Sequence, residues 1–144
     1  MAANRPQPAG DAAKTALTHV ENTLDPIILP DSRVLLLGSM PSPKSREIGF
    51  YFGNPQNRFW RVVAALYGEK PLQSISEKID FCKRHHLALC DVLKACDIKG
   101  ASDASIANPV PHNIGALIQD SSICAIFTLG GTATKFYKRY TEQQ

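Results

Sequence analysis

Nowhere in these 144 residues does an apolar run approach the roughly 20 residues that cross a bilayer, so the chain reads as soluble, with no membrane partner. The opening stretch MAANRPQPAGDAAKTALTH holds no apolar core of a secretory signal. Cys82, Cys90, Cys96 and Cys124 therefore read as free thiols of a reducing cytoplasm. Paired C-x-x-C spacings are missing. Cys82, His85, His86 and Cys90 have the look of a ligand cluster, but a structural zinc site normally needs such pairs, so no metal is expected. G-x-x-x-x-G-K-[ST] and G-x-G-x-x-G are both absent. Nucleoside triphosphate and dinucleotide binding thus lack their phosphate-cradling loop, and no cofactor is expected. There is no G-x-S-x-G elbow, which argues against a serine hydrolase. A net charge of +3 permits an anionic partner without arguing for one.

What is present is an ordinary globular composition, 44% hydrophobic and 20% charged, long enough for one domain with a real core. Residues 1–20, rich in Ala, Pro, Asn and Thr, read as a mobile tail or weak helix, and residues 21–144 as the domain. Asp25 to Pro30 is an extended lead-in. The run Val34-Leu35-Leu36-Leu37 then suits a strand buried on both faces of a parallel sheet, about 33–38. It stops at Gly38-Ser39-Met40-Pro41, where glycine admits a close ligand and proline ends pairing. A long loop of Ser, Pro, Gly and aromatics follows. Asn57-Arg58-Phe59-Trp60 then opens a helix with Phe59, Val62, Val63, Leu66 and Tyr67 at helical spacing. Strand, small-residue turn, long loop and helix is how open α/β sheets bind ligands, though an ordinary long connection reads the same way.

Ser74 and Glu77 form a capping box for a helix reaching about His86. Leu87 to Leu93 is the second strand. Its one charge, Asp91, falls at the same sheet edge as Gly38, where a buried carboxylate is either part of a site or held by a structural hydrogen bond. Lys94 to Pro111 reads as a polar loop, either touching a ligand or simply solvated. Asn113 caps a short helix, Ile123 to Leu129 is the third strand, and Gly130-Gly131-Thr132 opens a last helix as a weak anion site. Alternating strands and helices predict a three-layer α/β/α sandwich around a short parallel sheet. Three strand ends then converge. An aromatic that can stack, amides that can bond a base edge and backbone that can meet phosphate together suit a nucleobase pocket.

The segment GSMPSPKSREIGFYFGNPQNRFW resembles the first signature of the uracil-DNA glycosylase superfamily, and most of all its DNA-deoxyinosine (hypoxanthine) branch. The resemblance continues through LALCDVLKACDIKGASDASI and AIFTLGGTATKFYKRY, and so covers about residues 24–140. It implies a monomeric DNA repair enzyme. Such an enzyme flips a deaminated base, hypoxanthine favoured, out of DNA and hydrolyses its N-glycosidic bond. The alternatives are a uracil- or mismatch-specific glycosylase, or a DNA-binding fragment of one. Asn57 matches the branch's water-positioning asparagine, while Met40 stands where mismatch-specific relatives carry theirs. Phe52 matches the aromatic that stacks on the flipped base, and Asn54 replaces the branch's usual His. Gly38, Ser39, Met40, Tyr51 and Asp91 complete the expected base-binding set, with Asp103 a second-choice group beside Asp91. Ser42, Ser45, Gly130, Gly131 and Thr132 are the candidate contacts to DNA phosphate. The family pattern goes on to a fourth strand and a segment like LPSTSPAN that pinches the DNA. This chain stops at Gln144, so a sheet without its last strand and an incomplete DNA clamp are expected.

Overall fold

The computed structural model describes residues 16–141. Its centre is the expected parallel sheet. β2 (Val34–Gly38) lies between β3 (Leu87–Asp91) and β6 (Ala125–Thr128), with Gly38 opposite Asp91. Leu35 and Leu37 are fully buried on one face, and Val34 and Leu36 half-buried on the other, as an uninterrupted apolar strand requires. The lead-in covers the free edge of β3 through paired backbone bonds between Ile27 and Leu89, both 2.9 Å. β6 is the outer strand among the described residues.

Two apolar clusters flank the sheet and make the three layers. On one side, α2 (Phe59–Leu66) and α3 (Ile75–His85) bury Trp60, Val63, Phe81 and Cys82 against Leu87 and Leu89. On the other, α4 (Ile114–Ile118) and α5 (Gly131–Thr141) bring Ile114 and Phe136 onto Leu35, Leu37, Ala88 and Cys90. Cys82 and Cys90 thus lie in different clusters. Among the described residues no group of three or more His, Cys, Asp or Glu is placed to hold a metal. The caps match the sequence: the Ser74 side chain accepts from Glu77 N, and the Asn113 side chain from Ala116 N.

Three segments depart from the expectations. The polar stretch after Asp91 is a β-hairpin rather than a loop: β4 (Leu93–Lys99) and β5 (Ser102–Pro111) pair antiparallel with three register irregularities. Leu93, Ala95, Cys96 and Ile98 are buried, and the adjacent pair Ala95-Cys96 breaks the strict alternation that would announce a strand. β1 (Thr18–Glu21) joins β4, so the ordered domain begins before residue 21. Residues 1–15 of the expected tail lie outside the described residues. The long loop also contains a helix, α1 (Pro43–Ile48). No helix among the described residues is long and apolar enough to cross a membrane.

Candidate active site

The strand ends meet in a cavity of about 390 Å³, well within the size range of small-ligand pockets. Of the residues singled out from sequence, Gly38, Ser39, Met40, Ser42, Ser45, Tyr51, Phe52, Asn57 and Asp91 all line it. Gly130, Gly131 and Thr132 do not. They follow Leu129, which does, and a Cβ added at Gly130 or Gly131 would meet open space.

The wall from Ser42 to Phe59 is built by its own hydrogen bonds. Ser42 caps α1, its Oγ accepting from Ser45 N at 3.1 Å and donating to Ser45 Oγ at 3.0 Å. Ser45 is buried, and its Oγ accepts from Gly53 N at 3.2 Å. Both hydroxyls expected at phosphate are therefore committed to holding the loop. Three aromatics in a row then divide their work. Phe50 stacks on Trp60 in the core. Tyr51 donates its hydroxyl to Leu24 O, and Trp60 Nε1 donates to Tyr51 O, so Tyr51 offers the cavity a ring rather than a polar handle. Burial pushes its phenol up, beyond any role in proton exchange near neutrality.

Phe52 is turned out of this series by a left-handed backbone, φ 53°. That conformation is costly for a bulky residue and is typically held in place at functional sites. Its ring packs against Phe59 with centroids 4.1 Å apart, which fixes an aromatic face at the cavity. Asn57, exposed at the start of α2, accepts from Phe59 N at its Oδ1, 2.9 Å. This leaves the two amide hydrogens and one lone pair of Oδ1 for a ligand or water.

Opposite lies Asp91, only 2% exposed. Burial pushes its carboxyl up to about 7; the hydrogen bond from Asn22 opposes this and the charge of Asp103 adds to it. Gly38 is needed beside it. A Cβ there would sit 2.5 Å from Asp91 Oδ1 and 3.2 Å from the edge of Phe52. One oxygen of Asp91 accepts from Asn22 Nδ2 at 3.2 Å, as the structural reading expects, and Asp91 is also among the residues that line the cavity. Ser39 Oγ donates to Asp103 Oδ2 at 2.8 Å, tying the β2 turn to the hairpin. The hairpin tip supplies Ile98, Gly100, Ala101 and Asp103 to the wall.

Sequence reasoning missed Phe59, the hairpin tip as a folded wall, and Asn22. Phe59 was legible only as a helix core position. Asn22, in a short polar stretch 69 positions from Asp91, carries no local signal. The assembled site offers a stacking face, an amide beside it and a carboxyl able to hold a proton near neutrality. None of these is a strong nucleophile.

The family model for the uracil DNA glycosylase superfamily matches residues 26–143. The hypoxanthine DNA glycosylase of Methanosarcina barkeri is 37% identical over 83 residues, 56% of this chain and 52% of that protein. The hypoxanthine DNA glycosylase of Methanosarcina acetivorans is 37% identical over 95 residues, 64% of this chain and 60% of that protein. The chain thus spans between half and three fifths of the length of these curated relatives. A solution NMR structure from Methanosarcina acetivorans, provisionally named a uracil DNA glycosylase, superposes with a TM-score of 0.73 at 26% identity. It covers 83% of this chain and 76% of that one. With the family model spanning most of its length, the chain belongs to the uracil DNA glycosylase superfamily.

Proposed function

We propose that this chain excises a deaminated base from DNA, hypoxanthine favoured and uracil the alternative, by hydrolysing its N-glycosidic bond. The observation that carries this reading is the convergence of the Phe52 ring, the Asn57 amide and the buried Asp91 carboxyl on one cavity at the end of β2. The flipped base stacks on Phe52. Bond cleavage passes through an oxocarbenium-like sugar, and the base departs with the bonding electrons. Asn57 orients the water that adds to the sugar. An amide suffices because the departing base supplies much of the drive. Gly130, Gly131 and Thr132, at the open N-terminus of α5 beside the cavity, contact a flanking phosphate. Ser42 and Ser45 act indirectly, by holding the loop. The two curated relatives named for hypoxanthine favour that base.

Oligonucleotides carrying a single hypoxanthine or uracil, incubated with the chain and then cleaved at abasic sites, test the reading. Strand scission is expected, faster with hypoxanthine. Asn57→Ala should lower the single-turnover rate by about 100-fold or more while leaving duplex binding nearly unchanged. No abasic product from either base at high enzyme rejects the reading. Tight binding with no cleavage points instead to a non-catalytic DNA-binding fragment.

A further inference from the structure

Asn22 does not line the cavity, yet every polar atom of its side chain is committed. Its Nδ2 donates to Asp91 Oδ2 at 3.2 Å and to Leu93 O at 3.0 Å, and its Oδ1 accepts from Leu24 N at 3.0 Å. Its backbone N–H donates to Lys94 O at 2.9 Å. Leu24 N can only donate, so the amide cannot turn over, and a donor must face Asp91. Asp91 Oδ2 is thereby held as an acceptor. Oδ1 lies on the Gly38 side: a Cβ there would sit 2.5 Å from Oδ1 and 3.2 Å from the edge of Phe52, so only the missing Cβ of Gly38 leaves that space open.

We propose that Asn22 is the positioning residue that directs the carboxyl proton of Asp91 to Oδ1, making Asp91 the donor that selects a base with a carbonyl where its parent has an amino group. This rests on the reading of the cavity as a base pocket. Hypoxanthine and uracil differ from adenine and cytosine in that one substituent. A carbonyl oxygen accepts from Oδ1–H. An amino group there leaves two donors facing each other, and a buried polar mismatch discriminates strongly. As the C1′–N bond breaks, its electron pair passes to the base, and the hydrogen bond from Oδ1 stabilises the developing negative charge. If the proton transfers, the one released when water adds to C1′ restores it to Asp91 through solvent.

The titration supports the geometry. Burial brings the Asp91 carboxyl to about 7, so a protonated form is well populated at neutral pH. The titratable groups facing it are Asp103 from the hairpin, Tyr51 from the loop and Cys90 on β3. Burial holds the Cys90 thiol at about 12 and raises the Tyr51 phenol further, so neither charges in this range.

Single-turnover excision of hypoxanthine between about pH 5.5 and 8.5 tests the proposal, with the carboxyl carbon of Asp91 followed by NMR in the same intact chain. The wild-type rate should fall as pH rises through about 7, with the preference for hypoxanthine over adenine falling alongside it. Asn22→Ala removes a bond that favours the anion. Both the alkaline limb and the NMR midpoint should then move to higher pH, by roughly half a unit to one. Asp91→Asn should lose the limb, having no proton to give up. An NMR midpoint unmoved in Asn22→Ala overturns the positioning role whether or not the chain cleaves DNA. A limb that persists in Asp91→Asn overturns the donor role. A wild type that titrates as expected but releases no base overturns the excision reading, and the donor role with it.

Discussion

Replacing Asp91 with Asn should make the protein more stable at pH 8 while changing little at pH 4. In the folded chain, burial lifts this carboxyl from its ordinary 3.8 to about 7. Between those values the folded state keeps a proton that the unfolded state releases. Stability therefore falls as pH rises from about 4, and the loss is complete above about 7. The shift corresponds to a penalty on the order of 4 kcal/mol, a large part of what a small domain has in total. Asparagine fits the same space. Its Oδ1 can accept from Asn22 as Asp91 Oδ2 does, and it carries no charge to desolvate. Urea unfolding of both proteins at half-unit steps from pH 4.5 to 8.5 gives the free energies by linear extrapolation. The variant's advantage should widen steadily up to about pH 7 and then level off. A difference that stays constant across the range would refute the buried-carboxyl argument, because two chains that titrate alike at this site cannot diverge with pH.

Gly38→Ala places a Cβ 2.5 Å from Asp91 Oδ1, so it should cost roughly 1–3 kcal/mol in thermal melts and slow excision at least about tenfold; wild-type behaviour in both would contradict the packing. Phe52→Ala should weaken substrate binding by about 1–3 kcal/mol through lost base stacking. Phe52→Gly should lose the same binding yet melt higher than Phe52→Ala, because glycine accepts the left-handed backbone without penalty. Ser45→Ala strips Gly53 N of its partner and should destabilise by about 1–3 kcal/mol, read by urea midpoint. His19, paired with Glu21 and Asp97, titrates above its ordinary 6.5 in the folded state, so its contribution is full below 6.5 and fades as pH rises past it. The Tm gap between wild type and His19→Gln should close toward high pH.

The parallel sheet was legible because Val34 to Leu37 and Leu87 to Leu93 are dense in residues that only a doubly covered strand can bury. The caps at Ser74 and Asn113 were equally readable, being local chemistry. The hairpin was not. Its buried residues, Leu93, Ala95, Cys96 and Ile98, are set among Lys, Asp and Ser, and its register breaks disrupt the alternation that marks a strand. Helix α1 was hidden by its shortness, six residues with Pro, Ser and three charged side chains. At the site, Asp91 stood out as the one charge in an apolar strand, whereas Phe52 and Asn57 were picked out among the other loop residues by the family resemblance. The positive φ that turns Phe52 into the cavity, and the reach of Asn22 to Asp91, are tertiary facts with no trace in neighbouring residues.

That reach also sets when the site can exist during synthesis. Asn22 leaves the ribosome 69 residues ahead of Asp91, and Ser39 leaves it 64 ahead of Asp103. At usual elongation rates each waits roughly 3–14 s for its partner. Meanwhile Gly38 and its apolar strand have no neighbour to pair with, since β3 and β6 both come later in the chain. The pocket is thus among the last features to form. A nascent or partly unfolded chain presents a bare hydrophobic strand and no closed cavity, because the loop that carries Phe52 and Asn57 is made before the strand and hairpin that face it.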